Sequence, residues 1–244
     1  MTITFIVLMA ALAMMSVEAA SPGRSWPRVA GWWARAWLAT GVQAGGVFLA
    51  GAVWNKWLLR HQPWSANALG EVGGALAGYL VITFVYYWWH RWRHESDFLW
   101  RWLHQLHHSA QRIEIITSFY KHPFEIVADG LISTAVLYWI VGLGPVAAAG
   151  ATLIGALAEL FYHWNVRTPY WLGFVLQRPE SHCVHHQEGL HSFNYSDLPL
   201  WDILFGTFRN PRQFDERCGF GESEHRVEEM LRGLDVTGSS AGAL

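Results

Sequence analysis

The sequence predicts an all-α, polytopic membrane protein with four to five transmembrane helices and a cytoplasmic, histidine-rich helical cap. Three observations lead there. The 244-residue chain is 52% hydrophobic and only 15% charged, more apolar than a soluble core of this size requires. Its apolar residues fall into runs close to the roughly 20 residues that cross a bilayer. Its 13 histidines are mostly clustered.

The first run, TITFIVLMAALAMMSVEA at 2–19, nearly reaches spanning length. No Lys or Arg precedes it, which favours a retained anchor helix over a cleaved signal peptide. The second run covers about 36–58 and the third about 69–90. In the third, Gly70, Gly73, Gly74, Ala77 and Gly78 permit close helix packing. Residues 125–163 hold two more runs, split at Gly142-Leu143-Gly144-Pro145. Glycine and proline there predict a tight hairpin, with Pro145 opening the next helix. Trp32, Trp33, Tyr86, Tyr87, Trp88 and Trp89 crowd the run ends as an interfacial belt would.

Basic residues set the orientation. Arg24, Arg28 and Arg35 follow the first run; Arg91, Arg93, Arg101, Arg112 and Lys121 follow the third. Arg167, Arg178, Arg209, Arg212, Arg217, Arg226 and Arg232 lie in the C-terminal part. The connection between the second and third runs carries little besides Arg60. Positive residues favour the cytoplasmic side, so the N-terminus is expected outside and the histidine clusters share one face. A net charge of −2 argues against a phosphate-tracking nucleic-acid binder. Cys183 and Cys218 do not make a disulfide framework. The last dozen residues, ending TGSSAGAL, are expected to be disordered.

HQLHH at 104–108 and HCVHH at 182–186 repeat one spacing: i, i+3, i+4. His90 and His94, four apart in HRWRH, share a helix face. His163 stands in ELFYHWN, His122 opens HPFE, and His191 follows the last cluster. His61 and His225 have no evident partners. Neutral imidazole binds iron, zinc, copper and nickel. The eight clustered histidines exceed one ion's needs and suit two ions, each with a free position. Burying so many imidazoles near a membrane without metal would leave donors and acceptors unsatisfied. A single HxxxH is within the reach of any helix surface; three clusters on one predicted face are not.

In order, HRWRH (90–94), LWRWLHQLHHS (99–109), HPFE (122–125), HWN (163–165), HCVHH (182–186) and NYSDLPLWDILFGTF (194–208) resemble the fatty acid hydroxylase and sterol desaturase superfamily. The likeness covers about residues 80–210. It divides the chain into anchor helices at 1–78, a fatty acid hydroxylase-like catalytic domain at 79–215 and a tail at 216–244. It implies a non-haem di-iron site held by His90, His94, His104, His107, His108, His182, His185 and His186, with His163 as a further ligand. His122 is a weaker ligand candidate, with a helix-start role or a contact behind the ligands as its alternatives. The resemblance also implies an O2-dependent oxidoreductase of the membrane. It would hydroxylate, or less commonly desaturate, a C–H bond of a lipid such as a fatty acyl chain or sterol. No flavin, haem or iron–sulfur motif is present, so electrons are expected from a ferredoxin or cytochrome b5-like donor. The compact chain suggests a bacterial inner membrane, with the metals on the cytoplasmic face.

Two departures stand out. Thr83 lies seven residues before His90, where the family often has an acid. Asn194-Tyr195-Ser196-Asp197 stands where many members have NYG. Asp202 is expected to anchor its loop, Glu159 to serve helix packing, with orienting His163 or reaching a metal as its alternative, and Cys183 to fill space between ligands, with metal contact as its alternative. Glu125 and Asp129 share a helix face. His191 is a candidate for the surroundings of the site only. Readings from other classes are a metal transporter and a paralogue that uses the same histidines for structural zinc. His94-Glu95 lacks the second histidine of HExxH, so a zinc protease is not supported.

Overall fold

Five long helices alternate in direction: α1 (Ile3–Ala20), α2 (Trp32–Val53), α3 (Gly70–Glu95), α4 (Pro123–Thr134) and α5 (Pro145–His163). The computed structural model describes residues 3–237; of the last dozen residues, expected to be disordered, those from 238 onward lie outside the described residues, whereas 233–237 are packed, with Val236 4% exposed and the Leu234 carbonyl accepting from Gln105 Nε2 at 2.8 Å. No strand is present among the described residues; a lone bridge joins Gln187 and Cys218. Ile3–Ala20, Asn67–Glu95, Pro123–Ile140 and Pro145–His163 are each long and apolar enough to cross a membrane. The second predicted run coincides with α2 over most of its length.

The hairpin at 142–145 forms as the sequence predicts. Gly142 takes φ +75, which any side chain would strain, and Pro145 is the first residue of α5. The Gly142 carbonyl accepts a hydrogen bond from Ala66 N at 2.8 Å, closing the far end of the bundle. Helices α3 and α5 then lie side by side. A Cβ on Gly78 would sit 2.6 Å from Leu143, and one on Gly150 would sit 2.9 Å from Ala75. Of the predicted small residues, Gly74 and Gly78 face α5, whereas Gly73 meets only Leu69 of its own chain segment and Gly70 takes φ +64 at the helix start.

At the other end, α1, α3 and α5 finish, and α2 and α4 begin. The Glu18 carboxylate of α1 accepts from Ile115 N at 3.2 Å and Asn165 N at 3.1 Å. Trp164 Nε1 donates to Met14 O at 2.9 Å. Helix α1 is therefore tied to the connections that carry the histidines. Glu18 is 7% exposed, so Glu18→Ala should strand two buried amides and lower stability by roughly 1–3 kcal/mol. Thermal unfolding in detergent tests this; an unshifted midpoint would mean that the contact contributes nothing.

The aromatic belt is only partly formed. Of the predicted belt residues Trp33 faces outward, 48% exposed, but Trp32 and Tyr87 are 1% and 0% exposed. Trp32 packs edge-on against Tyr120 with ring centroids 5.2 Å apart, and Tyr87 stacks on Phe205 at 5.1 Å. These two rings hold the cap to the bundle.

Candidate metal centre

His90 and His94 occupy the last turns of α3, and His163 is the last residue of α5. HQLHH begins at the end of a π-helical turn, Trp100–His104, and continues as the α-turn Gln105–His108. HCVHH lies on the short helix α6 (Pro179–His185), which opens on proline, and ends at His186. Single π-turns are frequent at functional sites, where they change the direction of side chains.

The nine histidines form two groups. His90, His94, His104, His108 and His185 offer nitrogens that all lie within 4.8 Å of one another; so do His107, His163, His182 and His186. The repeated spacing acquires a physical meaning here. In HQLHH the i, i+4 pair goes to the first group and the middle histidine to the second. In HCVHH the pair goes to the second group and the middle histidine to the first. Each short helix thus joins both groups, and His108 and His186 stack between them with centroids 4.1 Å apart.

Five of the outer nitrogens face oxygen acceptors. Nδ1–H of His90 donates to Tyr195 O at 2.8 Å, that of His104 to Glu125 Oε1 at 2.9 Å, and that of His185 to Phe193 O at 2.7 Å. His163 Nδ1–H donates to Glu159 O at 2.9 Å and His107 Nδ1–H to Tyr120 O at 3.3 Å. A neutral imidazole that carries its hydrogen on Nδ1 presents a bare lone pair at Nε2. Yet Nε2 of His90 and His104 face each other at 2.9 Å, and Nε2 of His107 and His163 at 3.4 Å. No hydrogen is available to join these pairs, so two lone pairs repel. Nε2 of His94 and His185 are buried with no partner among the described residues. A cation in each group removes both faults. Sets of five and four imidazoles suit a transition metal; Mg²⁺ and Ca²⁺ prefer oxygen.

A comparison of sequences agrees with that geometry. The family model for fatty acid hydroxylase matches residues 75–207, more than half of the chain, from the second turn of α3 past the last histidine cluster. The chain belongs to the fatty acid hydroxylase family. It is similar to an alkylglycerol monooxygenase of Homo sapiens, 27% identical over 160 residues, 64% of this chain and 34% of that protein. It is also similar to a sphingolipid C4-hydroxylase of Schizosaccharomyces pombe, 28% identical over 55% of this chain and 47% of the relative. An ornithine lipid hydroxylase of Rhizobium tropici is 34% identical over 55% of this chain and 41% of the relative. The chain spans about a third to a half of the length of these relatives. No solved structure matches it.

Behind the first group of this family member lies a buried charge cluster. Glu125, 0% exposed, accepts from His104 and also from Arg93 Nη1, while Asp129 Oδ2 stands 3.7 Å from the same guanidinium nitrogen. Glu125 and Asp129 do share a face, and that face meets Arg93. Arg93 reads in the sequence as one more basic residue beside the membrane; it is 4% exposed and balances two acids. The signal that could have found it is the pair of acids on one apolar helix, which requires a partner.

His122, Glu159, Cys183 and His191 lie around the two groups and not within them. His122 joins neither group. Its Nδ1 accepts from Phe124 N at 3.1 Å as the cap of α4, and its Nε2 reaches Leu231 O at 3.4 Å, so neither nitrogen faces the clusters. The Glu159 carboxylate does not turn toward His163 but pairs with Lys121 at 2.5 Å; the orienting group is the Glu159 carbonyl. Cys183 packs with Ile113, Phe214 and Cys218, apart from both groups. His191 lies beside the first group, its Nδ1 3.2 Å from that of His108.

The two departures from the family pattern meet in space. Thr83 Oγ1 accepts from Trp201 Nε1 at 3.0 Å, and Ser196 Oγ reaches Thr83 O at 3.4 Å. Asp202 ties the same loop by accepting from Tyr195 N, Ser196 N and Thr207 Oγ1 at 2.8, 3.0 and 2.7 Å. It thereby fixes the Tyr195 carbonyl that holds His90. Asp197 hydrogen-bonds Tyr162, whose ring centroid lies 4.4 Å from that of His182; burial pushes the Asp197 carboxyl up to about 7. Just before it, His191, Phe193 and Asn194 all take positive φ, 44, 68 and 49°. That costs of order 1–3 kcal/mol each and persists because Asn194 is tied on both sides. Its Nδ2 donates to Ser181 O and Arg209 O, each at 2.8 Å, and its Oδ1 accepts from Arg209 N at 2.8 Å.

Electrostatics keep the imidazoles neutral. Burial pushes His104, His107, His108, His182 and His186 well below the ordinary 6.5, and His185 down to about 3. A lowered histidine stays neutral, and able to ligate, as pH falls through 6.5, where an exposed one protonates. Metal loaded near neutrality should therefore be retained after dialysis at about pH 6. Elemental analysis checks this; loss of half the metal there would contradict it.

Proposed function

We propose that this chain is a membrane-bound, O2-dependent non-haem di-iron oxidoreductase that hydroxylates a C–H bond of a lipid. One observation carries the reading: nine imidazoles, three at the ends of membrane-length helices and six on the short helices beside them, gather in two groups with lone pairs facing one another inside each. His90, His94, His104, His108 and His185 would hold one iron; His107, His163, His182 and His186 would hold the other. When bound, such an iron pair supplies the O2 activation that an unactivated C–H bond requires.

The chain's own residues do the rest. Tyr195 O, Phe193 O, Tyr120 O, Glu159 O and the Glu125 carboxylate fix the ring orientations and raise ligand basicity. Four of these acceptors are backbone carbonyls, so the ligand shell depends on the loops holding their shape. Leu160 and Ile115 pack beside the second group's helix end at 2% and 0% exposure and keep bulk water away. In the first group His90 and His94 are only partly buried, whereas the other seven histidines are buried. The open side of the site is therefore at the end of α3.

The relatives' names point to amphiphiles with a polar head: an alkylglycerol, a sphingolipid and an ornithine lipid. Those names also favour hydroxylation over desaturation. Electrons would come from a ferredoxin or cytochrome b5-like partner. The arginine-rich connections would place the metal face in the cytoplasm, at a bacterial inner membrane. The test is lipid profiling of cells lacking the protein against cells that express it, iron-replete and with a donor present. One lipid class should gain a hydroxyl. An unchanged lipid profile, with iron in the purified protein, would contradict the oxygenase reading.

A further inference from the structure

Two short segments of the cap carry more exposed apolar surface than the histidine site explains. One is the turn Tyr170–Phe174; the other is helix α7 (Pro199–Leu204). Trp171, Phe174 and Val175 are 65%, 52% and 57% exposed, and Leu200, Ile203 and Leu204 are 45%, 47% and 62% exposed. The segments adjoin through Phe174 and Phe208, whose ring centroids are 5.6 Å apart. Surface of this kind in one patch calls for an apolar partner.

The position of α7 identifies the partner. Trp201 packs edge-on against Phe84 at 5.0 Å, and its Nε1 donates to Thr83 Oγ1 at 3.0 Å. Phe205 lies 6.4 Å from Phe84 and 4.9 Å from Trp88. Thr83 and Phe84 belong to the membrane-length stretch Asn67–Glu95. They precede His90 by seven and six residues, so α7 rests against α3 ~10 Å deeper toward the bundle centre than the first histidine. The outward face of α7 therefore continues the outward, apolar face of α3, where Leu80 and Phe84 are 45% and 38% exposed. At the patch's outer edge Arg209 and Arg212 are exposed, with guanidinium groups 4.3 Å over Phe193 and 4.7 Å over Tyr170. Apolar residues below and long cationic side chains above match the two layers of a lipid leaflet.

We propose that Tyr170–Val175 and Leu200–Phe205 form a collar immersed in the acyl layer of the leaflet nearest the histidines, with Arg209 and Arg212 at its headgroups. The collar makes the leaflet continuous with the end of α3, so an acyl chain reaches the partly open His90 and His94 side without crossing water. This rests on the membrane reading of the helices and stands apart from the identity of the metal or the reaction.

The test is site-directed spin labelling of the full chain in phospholipid vesicles. Single cysteines would replace Leu204, Ile203 or Phe174 in turn, with Arg217, 87% exposed at its side chain, as the aqueous control. The native Cys183 and Cys218 are buried, and unsubstituted protein supplies the blank. Labels on the collar should collide several-fold more with O2, relative to an aqueous nickel chelate, than the Arg217 label. A ratio at Leu204 and Ile203 equal to that at Arg217 would overturn the proposal. So would strong dipolar coupling between copies at those sites, which would mean that a second chain covers the patch. If one variant fails to fold, the other two positions carry the same comparison.

Discussion

Replacing His185 by alanine should weaken binding of the first iron by at least about 100-fold and abolish lipid oxidation, while the chain still inserts and folds. His185 is the member of HCVHH that crosses to the first group. Its ring lies 4.5 Å from His90, 4.7 Å from His94 and 4.6 Å from His108, centroid to centroid. Its Nδ1–H is already committed to Phe193 O, so its buried Nε2 is aimed inward with nothing to bind. The second group keeps all four imidazoles in this variant. Iron content should therefore fall toward one per chain and not toward none. His122→Ala is the contrast: it should keep its iron and lose about 1 kcal/mol as α4 loses its cap. Equal iron loss in both variants would break the assignment, as would full activity in His185→Ala.

The second large effect is expected at Glu125. Glu125→Ala leaves the Arg93 guanidinium buried, with only Asp129 at 3.7 Å to balance it. Breaking a buried ion pair from one side costs about 3–5 kcal/mol. The same change removes the acceptor from His104 Nδ1, which frees that ring to turn and lowers affinity for the first iron by roughly 10- to 100-fold. Glu125→Gln keeps an oxygen acceptor for His104 but not the charge, so it should recover part of the metal affinity and little of the stability. Unfolding in detergent and iron titration separate the two effects. An unchanged midpoint in Glu125→Ala would show that Arg93 is balanced elsewhere.

Much of this was legible in the sequence, for physical reasons. Long apolar runs mark membrane-length helices because no polar backbone can face lipid, and Gly142 with Pro145 marks the hairpin. The histidine boxes mark the site because imidazole is too costly to bury in such numbers without a purpose. The division of each box between the groups was not legible. It depends on the π-turn at Trp100–His104 and on the angle between two short helices, and neither leaves a compositional trace. The acceptors behind the rings were also hidden, since Tyr195, Phe193, Tyr120 and Glu159 contribute their carbonyls, which every residue has. Arg93 was hidden by its company: among Arg91, Arg101 and Arg112 it looks like one more charge on the basic side, and only packing shows it buried. His122 was misleading in the opposite sense, because a histidine before proline can cap a helix as well as bind a metal.

Metal content of the purified chain, loaded with ferrous iron under anaerobic conditions and followed by X-ray absorption at the iron edge, tests the central claim most directly. Two irons per chain are predicted, one for each histidine group, with a first shell dominated by imidazole nitrogen and the outer-shell scattering of imidazole rings. A single iron per chain, or a first shell dominated by oxygen, would contradict it.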